Sequence, residues 1–214
     1  MSTRTTLILA AILVLIAALV GIAAYPRLPQ PVASHWNAQN QVNGYMSRFW
    51  GAFLMPLMAV GMGLLFLLIP VIDPLKANVA KFRGAFNAFI ALIIAFLVYM
   101  QFLTLAWNLG YHFNMGAAML PGLGLLFIFA GILMQKSKRN WFIGIRTPWT
   151  LSSDKVWDET HRLGAKLFIG SGILSLAGSF FAQYALWFIL VPVLASTVFL
   201  VIYSYLLYQR EIRA

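Results

Sequence analysis

Histidines and carboxylates are the only acid–base chemistry open to this chain, and both are scarce. It holds three histidines, five acidic residues and no cysteine among 214 residues. Without cysteine there is no thiol catalysis, no thiolate metal site and no disulfide framework. His35 and His112 fall in two polar loops that the charge pattern described below puts on one side of a membrane. Two imidazoles could share a metal there, but neither loop carries a carboxylate to complete the ligand set, and H-E-x-x-H does not occur. His161 follows Asp158 by three residues, and on a helix the two make a surface pair more simply than an acid–base couple. No catalytic residue, metal ligand or cofactor is therefore expected, and the chain reads as a protein other than an enzyme.

The densest polar chemistry runs from position 140 to 164: N-W-F-I-G-I-R-T-P-W-T-L-S-S-D-K-V-W-D-E-T-H-R-L-G. It contains Asp154, Asp158, Glu159 and His161, and three tryptophans: Trp141, Trp149 and Trp157. Thr147 precedes proline, which drives it to extended backbone. Gly144 and Pro148 bracket Arg146, so its guanidinium is presented on a defined turn. Ser152 or Ser153 can cap a helix running to about Gly164, with Asp154 in its first turn. Lys155 with Glu159 and Asp158 with Arg162 stand at i, i+4 spacing. Val156, Thr160, Leu163 and Leu167 make a less polar face beside Trp157. These features predict a short amphipathic helix lying on the membrane surface and feeding the next span.

The elements that must hold this stretch are membrane spans. The chain is 62% hydrophobic and 9% charged, with mean hydropathy +0.85; soluble domains carry about 25% charged residues. Six apolar runs are expected to span, at 7–24, 50–72, 85–109, 116–134, 167–182 and 186–208. The first is longer than the apolar core of a signal peptide, which predicts a retained helix rather than a cleaved leader. Between the first two runs lies a polar loop, 25–49. Prolines at 26, 29 and 31 exclude a regular helix at its start, and Trp36, Tyr45, Phe49 and Trp50 can anchor it at the interface as a small ordered cap. Ser171, Ser175 and Ser179 form a small-residue stripe that lets a neighbouring helix come close. Gln101, Thr104 and Asn108 share one face of the third span. They either bond between helices or line a polar cavity, as in a small-solute transporter or channel. No charged residue lies in the expected hydrocarbon core, where ion-coupled carriers usually keep one.

Charge sets the topology. With the amino terminus inside, Arg4, Lys76, Lys81, Arg83, Lys136, Lys138, Arg139, Arg146, Lys155, Arg162, Lys166, Arg210 and Arg213 all fall inside, leaving only Arg27 and Arg48 outside. This positive-inside bias predicts an all-α polytopic membrane protein of six transmembrane helices, with both termini cytoplasmic. The net charge of +10 is then a basic face turned to anionic membrane lipid rather than to nucleic acid. Loop 135–166 is cytoplasmic on this reading, and loop 25–49 is external.

Ile143-Gly144-Ile145-Arg146-Thr147-Pro148-Trp149-Thr150-Leu151, followed by Val156-Trp157 and Thr160-His161-Arg162, closely resembles the signature of the SdpI family of bacterial membrane immunity proteins. Leu28-Pro29, Ser34-His35-Trp36-Asn37 and Gly44-Tyr45 resemble the DUF1648 segment that often precedes it. Asn40 and Asn43 stand where that pattern commonly has a glycine and an aspartate. The resemblance divides the chain into a DUF1648-like region, 1–109, and an SdpI-like region, 110–214. It implies a bacterial cell-membrane protein that gives resistance to a secreted peptide toxin and holds a cytoplasmic transcriptional repressor at the membrane. On that implication, Asn140, Gly144, Arg146, Thr147, Pro148, Trp149, Thr150, Trp157, His161 and Arg162 would face the repressor. Pro29, His35, Trp36, Asn37, Gly44 and Tyr45 would face the toxin.

Overall fold

The computed structural model describes residues 1–213. Helices dominate: α1 (Thr3–Ala24), α2 (Arg48–Ile72), α3 (Lys76–Lys81), α4 (Arg83–Asn108), α5 (Met115–Lys136), α6 (Pro148–Ser152), α7 (Asp154–Gly178) and α8 (Ala185–Arg213). Their starts are set by local chemistry. Ser2, Asn114 and Ser153 each accept a backbone N–H of the first turn of α1, α5 and α7 respectively, satisfying donors that a helix start otherwise leaves without partners.

Five helices among the described residues, α1, α2, α4, α5 and α8, are long and apolar enough to cross a membrane. The sixth expected span is not of that kind. It is the second half of α7, continuous with the helix expected to lie on the membrane surface. The first half carries Asp154, Lys155, Asp158, Glu159, Arg162 and Lys166. The apolar run from Leu167 ends at Gly178, a rise of about 18 Å, short of the roughly 30 Å hydrocarbon core.

The all-α expectation is corrected at the 25–49 loop. Strands β1 (Val32–Trp36) and β2 (Val42–Met46) pair antiparallel, with Ala33 opposite Tyr45 and His35 opposite Gly44. A Cβ on Gly44 would stand 2.8 Å from that of His35, so glycine is what lets the strands close at this pair. Asn40 turns the hairpin at φ +61, a left-handed conformation in which glycine is easiest and asparagine is tolerated.

The helices pack in two groups, α1 with α2 and α4, and α5 with α7 and α8, joined where α4 meets α5. Gln101, only 2% exposed, clamps the first group: its Nε2 donates to Ala17 O of α1 (2.9 Å) and to Ala52 O of α2 (3.0 Å). In the second group α7 runs antiparallel to α5 at backbone contact. A Cβ on Gly172 would lie 2.5 Å from Gly124 O, and one on Gly131 would lie 2.6 Å from Ala165 O. Ser175 Oγ donates to Leu120 O across the same seam (3.1 Å). Of the expected serine stripe only Ser175 bonds across, Ser171 being buried but bonded to Leu167 O of its own helix, and glycines make the closest approach. Ser179 only bonds its own helix, at Leu176 O.

The two ends of the bundle differ in charge. One end gathers the chain start, α3, the 137–153 segment and the end of α8: Met1 N donates to Gly84 O, Asn78 to Arg139 O, and Ser153 to Glu211. All the basic residues except Arg27 and Arg48 belong to this end. At the other end the hairpin is bonded down by Asn108, whose Oδ1 accepts from Ala33 N (2.8 Å) and whose Nδ2 donates to Ala33 O (3.0 Å). Asn40 adds bonds to Phe113 O and Met115 N.

Candidate functional site

At the basic end, the 137–153 segment is a built turn rather than a connector. Asn140 is fully buried, and all of its amide is used. Its Nδ2 donates to Lys138 O and Ile143 O, and its Oδ1 accepts from Phe142 N and Ile143 N. Gly144 then takes φ +112, a backbone that L side chains rarely adopt, and a Cβ there would run into His161 Nε2. Thr147 and Thr150 close a capping box around α6, with Pro148 at the first helical position. Thr147 Oγ1 lies 3.1 Å from Ser204 Oγ of α8, and Trp149 packs on Tyr205 with ring centroids 5.1 Å apart.

His161 is the keystone of this turn. It is 1% exposed and stacked on Trp157, centroids 3.9 Å apart. Ile145 N donates to its Nε2 (2.9 Å), and its Nδ1 stands 2.9 Å from Trp157 O. A backbone N–H can only donate and a carbonyl can only accept, so the ring is held neutral with its proton on Nδ1. Burial pushes its pKa down to about 4, against smaller opposing effects of the Trp157 carbonyl and the Asp158 charge.

Three expectations for this stretch are corrected. His161 and Asp158 do not form a surface pair: the ring turns inward, and Asp158 pairs with Lys138 (3.0 Å). Arg162 pairs with Glu159 at i, i+3 (2.5 Å), not with Asp158, and Lys155 makes no ion pair with Glu159. The face of Val156, Thr160, Leu163 and Leu167 with Trp157 is not laid on a membrane surface over its first turns: Val156, Trp157 and Thr160 are buried, while Leu163 and Leu167 are half-buried. The apolar face is covered because Trp157 Nε1 reaches Ser137 O (3.3 Å) and the ring of His161 carries the turn above it.

Of the residues singled out at this end, Asn140, Gly144, Thr147, Pro148, Thr150, Trp157 and His161 build the turn. Arg146 is exposed on it: its Nη1 donates to Trp141 O (2.7 Å), and it has no carboxylate partner among the described residues. Arg162 is exposed further along α7, away from the turn. Asp73 had no assigned role, yet it is 2% exposed and accepts from Leu75 N (2.7 Å) and Trp141 N (3.0 Å). It ties the end of α2 to the turn. A single acid at the end of a span, among basic loops, was the signal for it.

At the opposite end, a cleft of about 430 Å³ opens between the hairpin and helices α2, α4, α5 and α8. His35, Trp36 and Asn37 line it with Asn40 and Asn114; Met55, Met100, Met115 and Met119 line it from the helices. Methionine adapts its shape to irregular apolar partners, a feature that sequence spacing alone did not reveal because the four lie on three helices. Of the other residues singled out here, Pro29 and Tyr45 are exposed outside the cleft and Gly44 serves the strand pairing. His35 Nδ1 lies 2.5 Å from Asn43 Oδ1, while His112 packs tilted against Trp107, ring centroids 4.6 Å apart. Thr104 reaches the cleft, but Gln101 and Asn108 are spent on helix and hairpin carbonyls.

Helices long and apolar enough to span, a hairpin cap at one end and a basic, rigid turn at the other define a multi-pass membrane protein. The SdpI/YfhL protein family matches the chain over residues 136–204, and a domain of unknown function, DUF1648, matches residues 12–60. It is 29% identical over 204 residues to "Immunity protein SdpI" of Bacillus subtilis (strain 168), covering 95% of this chain and 96% of that one. No solved structure matches it.

Proposed function

We propose that this chain is a bacterial cell-membrane immunity protein that gives resistance to a secreted peptide toxin. The observation that carries the reading is its end-to-end similarity to a protein named for immunity. In this reading α7 is the sixth crossing. Its apolar half packs one face on α5 through Gly124 and Gly172 and leaves Ile173 and Leu174 exposed on the other. Both termini and the basic turn are then cytoplasmic, in keeping with the charge difference between the ends.

The cleft under the hairpin faces outward and meets the toxin, with its methionines taking up apolar side chains of the peptide. The cytoplasmic turn presents Arg146, Pro148 and Trp149 to a transcriptional repressor, on a scaffold that Asn140 and His161 hold rigid. The two helix groups correspond to regions 1–109 and 110–214, the first carrying the outer cap and the second the inner turn. A transport reading is weakened because the amide nitrogens of Gln101 and Asn108 are committed to carbonyls.

The test is expression in a sensitive bacterium, with challenge by the peptide toxins encoded beside the gene. Raised tolerance is expected, and unchanged killing by all of them would sink the reading. Arg146→Ala with Trp149→Ala is expected to abolish repressor recruitment while resistance survives. Loss of both at normal expression would make the turn structural only.

A further inference from the structure

A second cavity of about 430 Å³ lies beneath the signature turn, where the two helix groups meet. Its walls are apolar, including Phe89 of α4, Leu133 of α5, Phe168 of α7 and Leu200 of α8. Thr197 and Val201 line it too, and both are exposed on α8, a helix apolar enough to span. One side of the cavity therefore opens onto the lipid tails. The volume is that of a small-molecule site, but the interior offers little to a polar solute. The hydroxyl of Thr147 is engaged by Thr150 and Ser204, and that of Ser137 by Met134 O.

The polar group left over is at the rim. Arg146 uses one N–H on Trp141 O and has no carboxylate within ion-pair distance among the described residues. Arginine has five N–H donors in a fork suited to phosphate. A ligand meeting both features has a long apolar tail and an anionic head, and it enters sideways from the bilayer. We propose that this cavity seats an acyl chain of an anionic phospholipid, with the lipid phosphate on Arg146. Basic pockets between membrane helices on the cytoplasmic side hold anionic headgroups in this way. The proposal needs only that the basic end faces a leaflet with anionic lipid, and it stands whether or not the chain confers immunity.

The test uses purified full-length protein in nanodiscs with a trace of photoreactive phosphatidylglycerol carrying a diazirine in its acyl chain, or the matched phosphatidylcholine. Cross-linked peptides are mapped by mass spectrometry. Labelling is expected at Phe89, Leu200 or Val201, with a preference of about five-fold for the anionic lipid. Arg146→Gln, a change at an exposed side chain, is expected to remove the preference, and Arg146→Lys to retain most of it. Ala130→Trp, which fills the cavity, is expected to lower labelling by both lipids. Equal labelling by the two lipids in the unaltered protein overturns the proposal, and so does a preference that Arg146→Gln leaves intact. Labelling confined to outward-facing residues such as Leu194 overturns it as well. The comparison of the two lipids on the unaltered protein decides the matter even if a variant fails to fold.

Discussion

The neutral His161 ring makes the stability of the basic end depend on pH, and the sign follows from its bonds. In the folded protein its pKa is about 4; in an unfolded chain it is about 6.5. Between these values the unfolded chain takes up a proton that the folded chain refuses, so stability rises with pH across this window. It is fully present above about pH 6.5 and is lost as pH falls toward 4. The difference of about 2.5 pKa units corresponds to about 3 kcal/mol, a large share of the usual 5–15 kcal/mol of folding stability. Protonation of Nε2 also places a donor against Ile145 N–H, so the turn opens where the proton enters. The nearest carboxylate, Asp158, favours the charged ring but is already paired with Lys138. The assay is unfolding of the detergent-solubilised protein followed by tryptophan fluorescence from pH 7.5 to 4.5, beside His161→Gln. The glutamine can donate to Trp157 O and accept from Ile145 N without titrating. The unaltered protein is expected to lose stability across the window with a slope approaching 1.4 kcal/mol per pH unit, and the variant to lose clearly less. Equal losses in the two proteins would refute the reasoning.

Gly144→Ala combines a left-handed backbone with a collision at His161; it is expected to cost at least about 2 kcal/mol, read as a lower unfolding midpoint, and more than Gly110→Ala, which shares the positive φ but has open surroundings. Gln101→Leu removes the bonds to Ala17 and Ala52 and is expected to cost about 1 kcal/mol in the same measurement. Met119→Trp narrows the outer cleft; under the immunity reading it lowers toxin tolerance about tenfold, the effect of ~1.4 kcal/mol of lost binding, at unchanged membrane levels of the protein.

Much of the architecture is legible along the chain because it depends on local quantities. Run length and apolar content mark α1, α2, α4, α5 and α8, and the placement of Lys and Arg separates the two ends, each without reference to any contact. The turn from Gly144 to Trp149 was also readable, because glycine and proline bracketing Arg146 mark a turn on their own. The direction of the amphipathic helix was not. Val156, Thr160, Leu163 and Leu167 beside Trp157 form a face that fits a membrane surface as well as a protein surface, and periodicity cannot choose between them.

Tertiary structure made that choice. A face is buried only when another segment arrives to cover it, and the cover here comes from Ser137 and Ile145, some 16 to 20 residues away in sequence. The same reason hid the partnership of Asp73 with Trp141 and the grouping of four methionines under the hairpin. Hydropathy and charge determined by themselves that the chain crosses a membrane and which end is basic. Only packing decided that His161 is a neutral keystone rather than a surface residue, because hydrogen-bond direction and burial belong to neighbours distant in sequence.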